Sequence, residues 1–126
     1  MKKIINTPNA PAPVGPYNQA VLAGNTLYCS GQIPLIPSTG KLLEGTIQEE
    51  TRQVMENLKA VLTAAGATFE NAVKCSIFMS SMDFYGGINE IYAEYFDEAT
   101  APAREAVAVK TLPKNVNVEI SLIASL

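Results

Sequence analysis

Between residues 54 and 65 the apolar side chains return three and four positions apart. Val54, Leu58, Val61, Leu62 and Ala65 fall on one face, the repeat of a helix with a single buried stripe. Thr46 and Glu49 stand ahead of it in the T-x-x-E spacing, in which hydroxyl and carboxylate each satisfy a free backbone N–H, and Gly66 supplies the stop. A second helix starts near Asp83 and carries Phe84, Ile88, Ile91, Tyr92 and Tyr95 on one face. Gly86 and Gly87 weaken its first turn, and the aromatic stripe reads as core packing. Elsewhere the period is two. Val73, Cys75, Ile77 and Met79 alternate with Lys74, Ser76, Phe78 and Ser80, a strand pattern. "YNQAVLAGNTLYCSGQIP" reads as two strands around the turn Ala23-Gly24-Asn25. Residues 104–110 and 116–124 give two more, separated by "TLPKN", and "KKIIN" offers another. "IPSTGKLLEG" reads as a loop, and prolines at 8, 11, 13 and 16 exclude helix from the entry segment.

The resulting order is strand, strand, helix, strand, helix, strand, strand. Its helices suffice for one face of a sheet, so the other face is either solvated or covered by another chain. In the last strand Val116, Val118, Ile120 and Leu122 suit the helix side, which turns Asn117, Glu119, Ser121 and Ile123 the opposite way. In the strand before it, Val107 and Val109 read as helix-facing. Arg104, Ala106 and Ala108 are then expected on the far face, together with Glu119. Small residues, an isoleucine, a guanidinium and a carboxylate suit a subunit interface with polar pockets better than open water. Two readings of Arg104 stand side by side. It bridges a carboxylate and only fixes an oligomer, or its fork of N–H groups accepts the carboxylate of a small molecule.

Composition narrows the chemistry. With 126 residues, 48% of them hydrophobic and 17% charged, the chain is expected to form one domain over 1–126. A net charge of −3 and scattered lysines count against nucleic acid, which needs a basic patch. There is no histidine, which removes Ser-His-Asp and Cys-His systems, HExxH zinc sites and imidazole shuttles. Cys29 and Cys75 form no CxxC and each sits in an apolar strand pattern, so buried free thiols and a cytoplasmic setting are expected. "MKKIINTPNAPAP" lacks the apolar core of a signal peptide, and no run is long enough to span a bilayer.

Four blocks carry a further signal: "GPYNQAV" at 15–21, "SGQIP" at 30–34, "APAR" at 101–104 and "LPKNVNVEI" at 112–120. In this order and spacing they resemble the RidA/YjgF family of reactive-intermediate deaminases, which hydrolyse enamines and imines, and the resemblance runs the whole chain. It implies an α+β, chorismate-mutase-like fold, with a six-stranded mixed sheet and two helices packed on one face. It also implies a homotrimer with inward-facing sheets and three inter-subunit clefts. Members with the matching arginine act on 2-aminoacrylate and its imine tautomer, giving a 2-keto acid and ammonia. By the same resemblance Arg104 is the substrate-carboxylate arginine, Tyr17 the cleft tyrosine and Glu119 the acidic residue near the imine. Ser30 and Gly31 line the pocket, and Asn89 borders it from the second helix. Ala106 stands where well-known members often carry cysteine, leaving a backbone N–H contact there. Glu105 replaces a usually small residue, and Ser121 stands where many members have a second glutamate.

Hydrolysing a 2-imino acid needs few parts, because the protonated imine is already electrophilic. The protein must hold the carboxylate, keep the imine protonated and present water. Arg104 supplies the hold, Glu119 favours the iminium and moves protons, and Tyr17 orients the water. No metal or cofactor is called for. On the residues alone, Tyr17 fits core packing, Glu119 a solvated position, and Ser30 and Gly31 a plain strand end. Two other functions fit the same features: a small-carboxylate-binding sensor without turnover, and a ribonuclease or translation inhibitor. The acidic balance and the missing histidine count against the last.

Overall fold

The computed structural model describes residues 1–126. Six strands form the main sheet: β1 (Lys2–Ile5), β2 (Ala20–Ala23), β3 (Thr26–Gln32), β6 (Ala72–Met79), β7 (Ala103–Ala108) and β8 (Val118–Ser125). Their order is β1-β2-β3-β8-β6-β7, antiparallel throughout except for the parallel β6–β7 pair at one edge. Helix α1 (Ile47–Ala64) packs across β3 and β8, and α2 (Tyr85–Tyr92) lies against α1 on the same face. This is the α+β arrangement expected, a mixed six-stranded sheet with two helices on one side.

Local sequence explains α1. Thr46 Oγ1 accepts from Glu49 N at 3.1 Å and Glu49 Oε1 accepts from Thr46 N at 2.9 Å, so both halves of the capping box are made. Gly66, just past the helix, takes a φ of 77°, where a side chain would be strained. The stripe of Val54, Met55, Leu58, Val61 and Leu62 is fully buried against Leu27, Ile77, Met79, Val118, Ile120 and Leu122. Truncating one such leucine to alanine costs about 2–5 kcal/mol. Helix α2 is shorter, with 3-10 turns at Met82–Phe84 and Ala93–Tyr95 on either side. Gly87 has a positive role in it: a Cβ there would collide with the Ile47 side chain, so the glycine lets α2 approach the first turn of α1.

Three expectations need correction. The stretch read as a loop contains a short hairpin, β4 (Leu35–Ile36) with β5 (Lys41–Leu42), turned at Gly40 with φ 71°. Buried Asn57 on α1 fixes its start, donating from Nδ2 to the carbonyls of Ile33 and Leu35 at 3.2 and 2.9 Å. In β6, Val73 does not face the core. The register slips between Ala72 and Lys74, Ala72 takes the inner position, and Val73 is left 49% exposed.

The third correction matters most. Arg104, Ala106 and Ala108 pair in register with Cys75, Ile77 and Met79, which are buried on the helix side. They therefore share the helix face, not the far face with Glu119. Glu119 pairs with Phe78, on the opposite side. Val107 also points to the uncovered face and is 42% exposed. Val109 lies beyond the end of β7, though its N–H still reaches the Met79 carbonyl at 2.9 Å. Valine was a poor guide here because the uncovered face is itself apolar in places, with Ile4, Tyr28 and Val107 exposed on it.

Candidate functional site

The Glu119 end is shaped by a glycine. The carboxyl lies so close over β3 that a Cβ on Gly31 would sit 2.6 Å from Glu119 Oε2 and 2.9 Å from Cδ. Only glycine leaves that space, at the point where the β3–β8 register shifts between Cys29 and Gln32. Glu119 is half-buried and makes no side-chain hydrogen bond. Burial alone pushes its carboxyl above the ordinary range. Tyr17, Gly31, Val14 and Pro113 line the same hollow. Tyr17 is half-exposed rather than core-packed, and its hydroxyl accepts from Val14 N at 3.4 Å.

The proline-rich entry has few ladder bonds of its own, and one side chain substitutes for them. Gln19 is 2% exposed, and its Nε2 reaches the carbonyls of Thr7, Ala10 and Pro11 at 3.0, 3.2 and 2.8 Å. Its Oε1 accepts from Thr7 N at 2.6 Å. Ser30 fastens the same segment to β3, donating from Oγ to the Asn18 carbonyl at 2.7 Å and from N to the Gln19 carbonyl at 2.9 Å. Pro113 belongs to a turn in which Lys114 and Asn115 both take positive φ, 54° and 61°. Asn117 anchors that turn: it accepts from Ser80 Oγ at 2.9 Å and donates toward the buried Glu50 carboxylate at 3.4 Å.

The Arg104 end is built on α2. Nη1 donates to Asn89 Oδ1 at 2.7 Å and Nη2 donates to the Tyr85 hydroxyl at 2.6 Å. The guanidinium carbon lies 5.0 Å from the Tyr92 ring centroid and 5.6 Å from that of Tyr85, within cation–π range. No carboxylate of the chain pairs with it. The two ion pairs are Arg52–Glu94 and Lys74–Glu105. Glu105 faces the other way, bonded to Ser76 and Lys74, and does not tether Arg104. Ala106, two residues along, is partly buried on the Arg104 side. Beneath the guanidinium the Tyr92 hydroxyl is buried near the Cys75 thiol without a well-formed hydrogen bond, and burial raises the pKa of both groups.

The sequence-derived site residues therefore fall into two sets. Tyr17, Gly31 and Glu119 line one hollow, with Ser30 next along β3 holding the entry segment; Arg104, Asn89 and Ala106 form the other set, and the sheet separates the two within one chain. Four contributors were missed: Tyr85, Tyr92, Gln19 and Pro113. Tyr85, Asn89 and Tyr92 are spaced four and three apart on α2, which puts them on one face beside the β7 edge. That spacing was the available signal. No three of the Asp, Glu and Cys side chains come close enough to hold a metal ion.

A family model described as Endoribonuclease L-PSP matches residues 7–126. Among curated relatives, a RutC family protein of Pyrococcus horikoshii is 50% identical over 98% of this chain and 98% of its own length. A Mus musculus protein named 2-iminobutanoate/2-iminopropanoate deaminase is 45% identical over 98% of this chain and 91% of its own. Among solved structures, a Rid-family protein of unknown function from Yersinia pestis superposes with a TM-score of 0.97 at 46% identity, covering 100% of each chain. Escherichia coli TdcF, crystallised with bound serine, gives 0.92 at 40% identity over 98% of each.

Proposed function

The chain belongs to the RidA/YjgF (endoribonuclease L-PSP) family, and from that membership we propose that it is a 2-iminobutanoate/2-iminopropanoate deaminase. It hydrolyses 2-aminoacrylate-type enamines and imines to 2-keto acids and ammonia. One observation carries the reading: each end of the site lacks the counter-charge that such a substrate brings. Arg104 has only neutral partners and fits a carboxylate. Glu119 has no partner and fits an iminium nitrogen. A 2-imino acid carries both groups on adjacent carbons, so one small molecule has to meet both ends at once.

Within one chain the sheet stands between them, so the arginine of one subunit works with the glutamate of its neighbour. A head-to-tail contact of this kind builds a ring where its rotation closes, and a closed homotrimer is the assembly we propose. The apolar residues on the uncovered face support a covering subunit, Tyr28 and Val107 being exposed and Phe78 and Ile123 partly so. In the cleft Arg104 holds the carboxylate, and Tyr17 orients a water toward the imine carbon. Glu119 takes a proton as the water adds and returns one to nitrogen; the C–N bond then breaks, ammonia leaves, and the hydroxyl proton passes back to Glu119 as the keto acid forms. A carboxyl whose pKa is raised by burial is suited to both roles near neutral pH. Gly31 and Ser30 shape the wall behind Glu119, while Asn89 fixes Arg104 and Ala106 leaves room beside it.

No helix is long and apolar enough to cross a membrane. The reading puts the activity in the cytoplasm, where the free thiols of Cys29 and Cys75 stay reduced. The serine bound in TdcF favours a second reading, a sensor that binds without turnover. The test is a coupled assay in which a dehydratase releases 2-aminoacrylate in the presence of the protein. Pyruvate and ammonia appearing faster than in buffer is the expected result. Binding of keto acids with no acceleration would establish the sensor instead.

A further inference from the structure

The molecule has two arginines, and both bond to a tyrosine hydroxyl. Around Arg52 the arrangement is complete. Its Nη2 pairs with both Glu94 oxygens at 2.9 and 3.0 Å, Nη1 donates to the Tyr95 hydroxyl at 3.5 Å, and that hydroxyl donates to Glu56 Oε2 at 2.7 Å. The phenol thus accepts a hydrogen bond from a guanidinium and donates its own O–H to a carboxylate. Around Arg104 only the first half of this chain exists. Tyr85 accepts from Nη2 at 2.6 Å, closer than Tyr95 lies to Arg52, yet its O–H has no acceptor in the molecule.

We propose that Tyr85 is a substrate-binding residue whose hydroxyl donates to the same carboxylate that Arg104 holds. The proposal rests on the deaminase reading for the identity of the ligand, a 2-imino or 2-keto monocarboxylate. The geometry favours a monoanion. A guanidinium has five N–H bonds; Asn89 and Tyr85 take two here and leave three without a side-chain partner in the chain. A neutral phenol adds a donor without adding charge. Because Arg104 fixes the oxygen of Tyr85, the free O–H is directed before the ligand arrives, which lowers the ordering cost of binding. Tyr92 and Asn89 already engage the guanidinium, and Arg104 and Tyr85 are both only partly buried, which leaves their shared side for the anion.

Tyr85→Phe keeps the ring over the guanidinium and the Asn89 bond while removing the donor. Titration calorimetry of the assembled protein with pyruvate, and with pyruvamide as the uncharged comparison, reads the effect directly. Pyruvate affinity is expected to fall about tenfold or more, the scale of a hydrogen bond to a charged group, with pyruvamide unchanged. In turnover the loss is expected in KM more than in kcat. A second variant separates donation from mere support of Arg104. 3-Fluorotyrosine at position 85, a stronger donor and a weaker acceptor, tightens pyruvate binding at a pH where the phenol stays protonated. Unchanged pyruvate affinity in Tyr85→Phe, weaker binding with fluorotyrosine, or a wild type that binds no keto acid would each overturn the proposal. A wild type that binds pyruvate but does not accelerate hydrolysis sinks the deaminase reading alone, and the affinity comparison still decides the role of Tyr85.

Discussion

The two ends of the site solve different problems on opposite faces of one sheet. At the Arg104 end everything is fixed: Asn89 and Tyr85 each take an N–H, and Tyr92 lies beneath the plane. At the Glu119 end nothing is bonded, and the carboxyl rests against a glycine backbone with burial holding its pKa up. A group that anchors a substrate gains from rigid partners. A group that must lose and regain a proton is hindered by them, since any fixed donor or acceptor favours one protonation state. The contrast between a held guanidinium and an unheld carboxyl is why we propose binding for one and proton transfer for the other.

The largest effect is expected from breaking the anchored end. Arg104→Ala should reduce turnover in the coupled assay by about a hundredfold or more, because positioning supplies most of the acceleration. Light scattering should show the assembly intact. Arg104→Lys keeps the charge but not the fork that bonds Asn89 and Tyr85 together, and most of the activity should go with it. An alanine variant at the wild-type rate would remove the anchor from the mechanism.

At the other end, Glu119→Gln should lower turnover roughly a hundredfold or more, the range for a lost acid–base group, while keto acids still bind. It also carries a stability signature. The pKa of Glu119 is raised in the folded state, so ionising it there is unfavourable. The contribution is fully present below the ordinary carboxylate pKa and is lost as pH rises through the folded value. Urea midpoints should therefore show the glutamine variant gaining on the wild type between acid and neutral pH. A gap that stays constant across that window would contradict the assignment.

Gly31→Ala is a milder change, since the carboxyl must shift while the fold remains. A displacement of about an ångström near the chemistry is worth tenfold or more in rate, with little change in the urea midpoint. Smallest of all is thiol alkylation of the native protein. Cys29 lies behind the Glu119 end with its pKa pushed up to about 12, and Cys75 lies beneath the Arg104 end, buried and raised as well. Neither presents a thiolate, so turnover should survive, and selective loss on modifying Cys29 would show an access path that the burial denies.

Much of the fold was legible because its signals agree locally. Thr46, Glu49, Gly66 and the Val54–Leu62 stripe each point to the same helix, and Val118, Ile120 and Leu122 alternate against polar neighbours. The face of β7 was not legible. Ala103, Ala106 and Ala108 carry almost no hydrophobic weight, and Val107 faces the side that the helices leave uncovered. Binary patterning distinguishes faces only when one of them is wet. The family motifs pointed to Arg104 and Glu119 as two parts of one cleft, yet a motif does not say whether two residues meet within a chain or across two. Tyr92 was hidden for another reason: an aromatic stripe that packs a core and one that cradles a cation have the same spacing, and Tyr85 stood outside the stripe.

Sharing of the site between subunits is the claim on which the rest depends, and mixed assembly tests it. Arg104→Ala and Glu119→Gln chains, each inactive alone, are unfolded together, refolded at equal amounts and assayed for 2-aminoacrylate hydrolysis. If each cleft takes its arginine from one chain and its glutamate from the next, random mixing leaves about a quarter of the clefts intact in a closed head-to-tail ring. Activity should return to about that fraction of the wild type. Mixed assemblies as inactive as their parents would mean that one chain supplies both residues, and the two-face arrangement would not be the working site.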